Sequence, residues 1–276
     1  LQLDCNGKSL DLSRPQIMGV LNVTPDSFAD GGDFFAPESA IARALAMEAE
    51  GAAIIDIGGE STRPGAEPVA VEEELGRVIP VIEALAPRLR VPLSIDTRKP
   101  QVMRAAVAAG AGLINDVGAL RLPGALQAAA ECGVPVCLMH MQGEPRTMQS
   151  DPQYDDVVSE VRTFLRRRVG ACEQAGIPPQ RILLDPGFGF GKSTQHNLSL
   201  LAGLDSIAAL GFPLVVGLSR KSMIGKLLGL ELAERLPASI ALAVLAIERG
   251  ATLVRAHDVA ATWQALQMTV ALRSAG

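Results

Sequence analysis

Eight short apolar runs recur along the chain, and each closes on a polar or charged residue. Residues 17–21 stop at Asn22, 53–55 at Asp56, 93–95 at Asp96 and 113–114 at Asn115. Residues 136–139 stop at His140, 182–184 at Asp185, 214–218 at Ser219 and 253–254 at Arg255. Between the runs lie Ala- and Leu-rich stretches with helical spacing, at 39–50, 71–90, 100–109, 124–132, 154–175, 195–210, 237–249 and 259–272. Gly51, Gly110, Gly133, Gly176, Gly211 and Gly250 each fall just past one of them, where a left-handed cap ends a helix. Strand–helix units repeated in this way predict a parallel sheet with helices outside it. Eight of them predict an α/β fold, a single (β/α)8 TIM barrel over residues 1–276, with its chemistry where the strands end. The residues that close the runs are therefore the first candidates for an active site.

Length agrees with that architecture. The chain has 276 residues, against about 250 for a barrel of this kind. Hydrophobic residues make up 48% and aromatic residues only 3%, so aliphatic side chains must fill the core. The net charge of -5 argues against a nucleic-acid partner, which calls for a broad basic face. No apolar stretch approaches the roughly 20 residues of a membrane span. Residues 1–4 lack the basic start and apolar core of a signal peptide. Cys5, Cys132, Cys137 and Cys172 form no Cys-x-x-Cys pair and read as buried, reduced thiols, so a cytoplasmic location is expected.

Two strand-to-helix connections stand out as long, 23–37 after the first strand and 58–70 after the second. Both are rich in Gly, Pro, Asp and Ser and read as loops of the catalytic mouth. The strand ends divide into two chemical groups. Asn22, Asp56, Asp96, Asn115 and Asp185 are anionic or amide. Arg63, Ser219, Arg220, Lys221, Ser222, Arg255 and His257 suit an anion. In an acidic chain, basic residues collected at one mouth imply an anionic ligand there. The run 217–222 leaves the seventh strand and enters a helix, where backbone N–H groups favour a carboxylate or phosphate. Asp96, Asn115 and Asp185 come from three strands facing one interior. Such carboxylates are costly unless paired, through a salt bridge to Lys221 or through a ligand rich in N–H donors such as a pterin or guanine edge.

Residues 185–192 read Asp-Pro-Gly-Phe-Gly-Phe-Gly-Lys. With Ser193 they mimic a phosphate-binding P-loop, but the first required glycine falls on Pro186. The run reads instead as a tight loop presenting an aromatic ring to a flat ligand. His140 has no Cys or His partner at metal spacing and reads as a core or supporting histidine.

Taken together these motifs resemble the dihydropteroate synthase family of the folate pathway. The resemblance runs from Gly19 to Asp258. Its motifs are Leu-Asn-Val-Thr-Pro-Asp-Ser-Phe-Ala-Asp-Gly at 21–31 and Asp-Ile-Gly-Gly-Glu-Ser-Thr-Arg-Pro-Gly at 56–65. Asp96-Thr97, Asn115-Asp116, Met139-His140-Met141, 185–191, 219–222, Arg255 and His257-Asp258 follow in order. The resemblance implies a barrel, normally a homodimer, that joins 6-hydroxymethyl-7,8-dihydropterin diphosphate to 4-aminobenzoate with release of diphosphate. It places Asp96, Asn115, Asp185 and Lys221 on the pterin. Arg255 and His257 go to the diphosphate, with Thr62 nearby. Asn22 is implied as the protein ligand of a diphosphate-bound Mg2+. Phe28, Thr62, Arg63, Pro64, Phe190, Lys221 and Ser222 are implied around the aminobenzoate.

The same resemblance implies that Asp96, Arg63, Lys221, Arg255 and His257 carry the catalysis. They would stabilise a departing diphosphate and the pterin-methylene cation it leaves, which the amine then attacks, so no covalent nucleophile is needed. Two positions depart from the pattern. Arg98 stands where the family carries a small or variable residue and is expected to assist the diphosphate or face solvent. Gly118 stands where many members carry Ser or Arg. Resistant members carry an extra residue beside the Phe190 position; the run 189–192 has none, which implies inhibition by sulfonamides. Two other readings use the same barrel, a pterin-binding methyltransferase and a non-catalytic pterin-binding paralogue. The first has no use for the Arg63 loop, and the second should have lost part of the diphosphate set.

Overall fold

A computed structural model describes residues 1–24, 36–61 and 65–275. The eight apolar runs form strands β3 (Gln16–Asn22), β4 (Ile54–Gly58), β5 (Leu93–Asp96), β6 (Leu113–Asp116), β7 (Val136–Met139), β8 (Ile182–Asp185), β9 (Val215–Gly217) and β10 (Leu253–Ala256). They pair in parallel in the order β8-β7-β6-β5-β4-β3-β10-β9. A parallel bridge between Leu184 and Leu214 joins the two ends and closes the ring. Nearly every strand residue is buried, as expected for parallel strands covered on both faces.

Side chains alternate faces along a strand, and that period decides what lines the barrel. Met18, Ile54, Leu113, Cys137, Leu183, Val215 and Leu253 pack together inside. Their neighbours Ile17, Ile55, Ile114, Leu138, Leu184, Val216 and Val254 belong to the outer core between strands and helices. Two residues beyond the inner apolar layer, the same register puts Asp56, Asn115, Met139, Asp185, Gly217 and Arg255 inside. Asp116, one residue past Asn115, falls on the outward face.

Helices α1 (Ala36–Ala49), α2 (Val71–Leu85), α3 (Pro100–Ala108), α4 (Ala125–Cys132), α5 (Val157–Gln174), α6 (Thr194–Ala202), α7 (Leu204–Ala208), α8 (Ser222–Leu228), α9 (Leu236–Glu248) and α10 (Val259–Ala275) surround the ring. The stretch expected at 71–90 stops at Leu85, before Pro87, which has no N–H to continue the ladder. The stretch expected at 195–210 divides at Gly203 into α6 and α7. Helix α5 starts at Val157 because the Asp156 side chain accepts from the N–H groups of Val158 and Ser159. The six cap glycines all adopt positive φ, as at Gly133 (φ 68).

Two features were not foreseen from the pattern. Strands β1 (Gln2–Cys5) and β2 (Lys8–Asp11) form an antiparallel hairpin. Its Leu3, Cys5, Leu10 and Leu12 pack onto the inner apolar layer and plug the barrel at the end opposite the strand C-termini. The turn is Asn6-Gly7, both at positive φ, the two-residue chemistry that a hairpin requires. The connection after β7, 140–156, is also longer than either of the two singled out from sequence. Cys5, Cys137 and Cys172 are buried, Cys132 is half-buried, and all four are free thiols. Among the described residues no helix is long and apolar enough to cross a membrane.

Candidate active site

One cavity opens at the C-terminal end of the ring, lined by Asp96, Asn115, Val117, Met139, Asp185, Gly187, Phe188, Phe190, Gly217, Lys221 and Arg255. Six residues proposed from the sequence, Asp96, Asn115, Asp185, Phe190, Lys221 and Arg255, therefore share one space. They come from β5, β6, β8, β10 and the loops after β8 and β9, because the inward register delivers the strand-end side chains to the axis. Asn22, Ser222 and His257 stand outside this lining. Phe28, Thr62, Arg63 and Pro64 lie outside the described residues.

Arg255 is the hub. Its Nε donates to Asp56 Oδ2 at 2.6 Å and its Nη2 to Asp96 Oδ2 at 2.9 Å. The Asn115 side-chain amide donates to the same Asp56 oxygen at 3.1 Å. The sequence offered Lys221 as the internal partner of the aspartates, but Asp96 pairs with Arg255 because both take the inward register, with Asp56 beside them. Asp56 has no solvent exposure. It fixes both Asn115 and Arg255, a supporting role that neither its motif nor its position revealed. Arg255 uses two of its five N–H donors on these carboxylates. Burial lowers the affinity of Arg255 for its proton, but Asp56 and Asp96 outweigh that effect and hold it above its ordinary range.

The remaining oxygens of the two carboxylates, Asp56 Oδ1 and Asp96 Oδ1, are buried without a hydrogen-bond partner among the described residues. Burial raises the pKa of Asp96, against the pull of Arg255. Burial likewise pushes Asp185 up to about 6, opposed by the Gly187 N–H and by Lys221, Arg255 and Lys192. Asp185 Oδ1 accepts from Gly187 N at 2.7 Å. Lys221 is pushed down to about 8 by burial, with Asp185 pulling the other way. Its Nζ sits 4.4 Å from the centre of the Phe190 ring. The cavity thus holds desolvated acceptors, a desolvated ammonium and an aromatic face, which suits a flat ligand bearing several N–H donors.

The second cationic group divides. Arg220 (φ 57) turns away and forms a two-pronged pair with Asp258, at 2.9 and 2.5 Å. His257 Nδ1 lies 3.0 Å from Ser219 Oγ. Burial first, then Arg255 and Arg220, push His257 down to about 4, so at neutral pH it presents a neutral ring. Ser222 is exposed at the first position of α8. Arg98 is half-buried and stands outside the cavity lining. Its Nη1 pairs with Glu144 at 2.7 Å and its Nη2 lies 4.0 Å from Glu60. The missing side chain of Gly118 leaves room for it: a Cβ there would stand 3.3 Å from Arg98 Cδ.

The glycine-rich loop after β8 carries positive φ at Gly187, Gly189 and Gly191. A methyl group at Gly187 would run into the His140 carbonyl, and one at Gly191 into the Gln142 carbonyl. The glycines thus let this loop lie directly on the loop after β7. Phe188 turns inward and is buried, whereas Phe190 is half-buried and stacks on Lys221. Reading the run as a failed P-loop missed Lys192, which is buried beside His140.

No group of three His, Cys, Asp or Glu side chains that could hold a metal occurs among the described residues. Asn22 nevertheless ends β3 in the inward register. Its Oδ1 and Asp96 Oδ2 stand 3.9 and 3.8 Å from the Cβ position above Gly58. One or two protein oxygens beside a phosphate-bearing ligand is the donor set that Mg2+ accepts, since it keeps several waters.

A family model described as pterin binding enzyme matches residues 18–257. The dihydropteroate synthase of Escherichia coli strain K12 is 55% identical over 275 residues, covering 100% of this chain and 98% of that protein. The dihydropteroate synthase of Xanthomonas albilineans has been solved with 4-aminobenzoic acid (57% identity, TM-score 0.95, 99% and 98% of the two chains). It has also been solved with 7,8-dihydropteroate (54%, TM-score 0.91, 99% of each). The Yersinia pestis enzyme in a sulfonamide complex is 51% identical, with a TM-score of 0.95 over 99% of this chain and 100% of that one.

Proposed function

The chain belongs to the pterin binding enzyme family and, within it, to the dihydropteroate synthases, and we propose that its barrel mouth condenses 6-hydroxymethyl-7,8-dihydropterin diphosphate with 4-aminobenzoate. The products are 7,8-dihydropteroate and diphosphate. The observation that carries this reading is the shared cavity, in which Asp96, Asn115 and Asp185 collect hydrogen-bonding groups beside Lys221 and Arg255.

The roles follow from the chemistry of each group. Asp185 accepts the paired N–H donors of the pterin, Asn115 both donates and accepts, and Asp96 turns its unpartnered oxygen to the ring. Lys221 covers the same ring from the side of Phe190. Arg255, with donors left over from Asp56 and Asp96, and His257 with Thr62 receive the diphosphate. Arg63 joins them there and also serves the aminobenzoate, with Phe28, Thr62, Pro64, Phe190, Lys221 and Ser222. Mg2+ held through Asn22 supplies further charge neutralisation on the diphosphate oxygens when bound. As the diphosphate departs, the developing pterin-methylene cation lies against Asp96 and Asp185, which are fixed before the reaction begins. An amine held in line replaces a bimolecular encounter, an advantage of up to about 10⁵ M or more in effective concentration.

A cytoplasmic setting and a homodimer belong to the same proposal. Four free thiols suit a reducing compartment. Leu227, Leu228, Leu245, Met268 and Leu272 expose apolar surface on α8, α9 and α10 that a second copy would cover.

Purified protein incubated with both substrates and Mg2+ is expected to form 7,8-dihydropteroate. Methyl transfer from a methylated folate to a corrinoid would favour the methyltransferase reading. Pterin binding without turnover would favour a non-catalytic protein. Sulfonamides are expected to compete with aminobenzoate, and full turnover at saturating drug would refute the shared subsite. Ser222→Ala is expected to raise the aminobenzoate KM about 3–10-fold with little change for the pterin, the equivalent of one neutral hydrogen bond. An equal rise for both substrates would remove that assignment.

Proton linkage gives a further check. Asp185 binds the pterin as a carboxylate, and without ligand it gains a proton below pH about 6. Affinity for a pterin analogue is therefore expected to fall as pH drops through 6, by up to about tenfold per unit, and to level off above it. Calorimetry between pH 5 and 8 measures this directly. An affinity that does not change across that range would refute it.

A further inference from the structure

We propose that Lys192 is a positioning residue of the reaction: its ammonium ties the glycine-rich loop after β8 to the end of β7 and so fixes the Phe190 wall of the substrate cavity. The inference rests on the function proposed above. Lys192 is 2% exposed. Its Nζ donates to Gly187 O at 2.8 Å and to Phe190 O at 3.1 Å, and lies 2.9 Å from His140 Nδ1. An ammonium has three N–H bonds, and these contacts use all three. None remains for a ligand, so Lys192 acts only through the loop it holds.

The third contact needs an unprotonated Nδ1, and burial, Lys192 and Arg121 together push His140 down to about 2. The imidazole is held in place by a T-shaped contact with Phe164, ring centres 4.8 Å apart. Burial also pushes Lys192 down to about 7, with Asp185 opposing and Lys221 reinforcing the shift.

The tethered segment has reason to need a peg. Its three glycines at positive φ leave the backbone few steric restraints of its own. It presents Phe188 and Phe190 to the cavity, and the Phe190 ring carries the Lys221 ammonium. Other restraints hold single points of the loop: Asn197 Oδ1 and Gln149 on Gly189, Tyr154 on Gly191, and Asp185 Oδ1 on the Gly187 N–H. The Phe190 N–H donates to Gly187 O at 3.1 Å and closes the turn on itself, but among the described side chains only Lys192 bonds both residues and ties that turn to His140 at the end of β7. Releasing that grip frees the Phe190 ring, and with it the aminobenzoate side of the cavity, while Asp96, Asn115 and Arg255 keep their own network on other strands.

Kinetics of Lys192→Met, Phe190→Leu and the double variant test this, after wild-type product formation has established the proposed reaction. Failure of the wild type to make dihydropteroate would overturn the functional reading itself. For Lys192→Met the aminobenzoate KM is expected to rise at least tenfold, with kcat at saturation within about threefold of wild type. Combined with Phe190→Leu, it should add less than twofold beyond the larger single effect. A lower melting temperature with unchanged KM, or effects that multiply in the double variant, would overturn the proposal. Should Lys192→Met not fold, His140→Phe keeps the ring packing and removes one acceptor. It is expected to raise the aminobenzoate KM three- to fivefold, and an unchanged KM there would overturn the proposal as well.

Discussion

Replacing Asp185 with alanine is expected to cost at least about a hundredfold in affinity for a pterin analogue. The carboxylate ends β8 at the cavity floor and is 5% exposed. One oxygen is committed to the Gly187 N–H. Two charge-assisted bonds to ligand N–H groups contribute about 1.5–3 kcal/mol each. Together that is roughly 3–6 kcal/mol, or about 10²–10⁴-fold in the dissociation constant. Ligand-free, the same group weakens the fold as pH rises. Its pKa in the folded chain is about 6, above the ordinary 3.8. The folded state therefore binds more protons between those values, and stability is lost as pH climbs through that window. Asp185→Ala should remove this dependence and leave the protein folded. Titration calorimetry with a pterin analogue decides the binding claim, and an affinity like that of the wild type would strip Asp185 of its role.

Arg255→Met should damage stability as well as activity. The substitution leaves Asp56 and Asp96 buried without their cation. Breaking a buried pair in this way costs about 3–5 kcal/mol, because the stranded charge has no water to return to. For a chain of this size that lowers the melting temperature by roughly 5–15 °C. The loss should be larger at pH 8 than at pH 5.5. Asp96 already has a raised pKa, and without Arg255 it rises further, so at the lower pH the carboxyl escapes its penalty by taking a proton. Adding Asp96→Asn to Arg255→Met should recover part of the stability at pH 8. Thermal melts at the two pH values measure both effects. An identical deficit at both would mean that the stranded carboxylates are not its source.

Much of the site was legible because a barrel repeats one rule. Each apolar run is a buried strand, and its C-terminal residue reaches the mouth. Asp96, Asn115, Asp185 and Arg255 were found that way, and they line one cavity. What the rule lacks is the face. Asn115 and Asp116 are adjacent, yet Asn115 lines the cavity, whereas Asp116 accepts from the N–H groups of Gly118 and Leu120 and shapes the turn after β6. A one-residue change of register would exchange them. The hairpin had its signal, Asn6-Gly7 between alternating apolar residues, but a search for parallel units passes over it. The length of the loop after β7 was hidden because Tyr154, placed in a helix from its surroundings, packs instead across the next loop.

The chain's pattern of apolar runs and helical stretches by itself determined eight strand–helix units, the end of the barrel that carries chemistry, and the residue types gathered there. Those features depend on periodicity and turn chemistry, which act over a few residues. Only the tertiary structure decided that Arg255 joins Asp56 and Asp96, that His257 is neutral, that Arg220 serves Asp258, and that Lys192 pins the loop bearing Phe190. Each is a pairing, or a shift caused by burial, among groups that ring closure brings together from distant parts of the chain. Such effects depend on distance and on exclusion of water, and neither is a property of residue order.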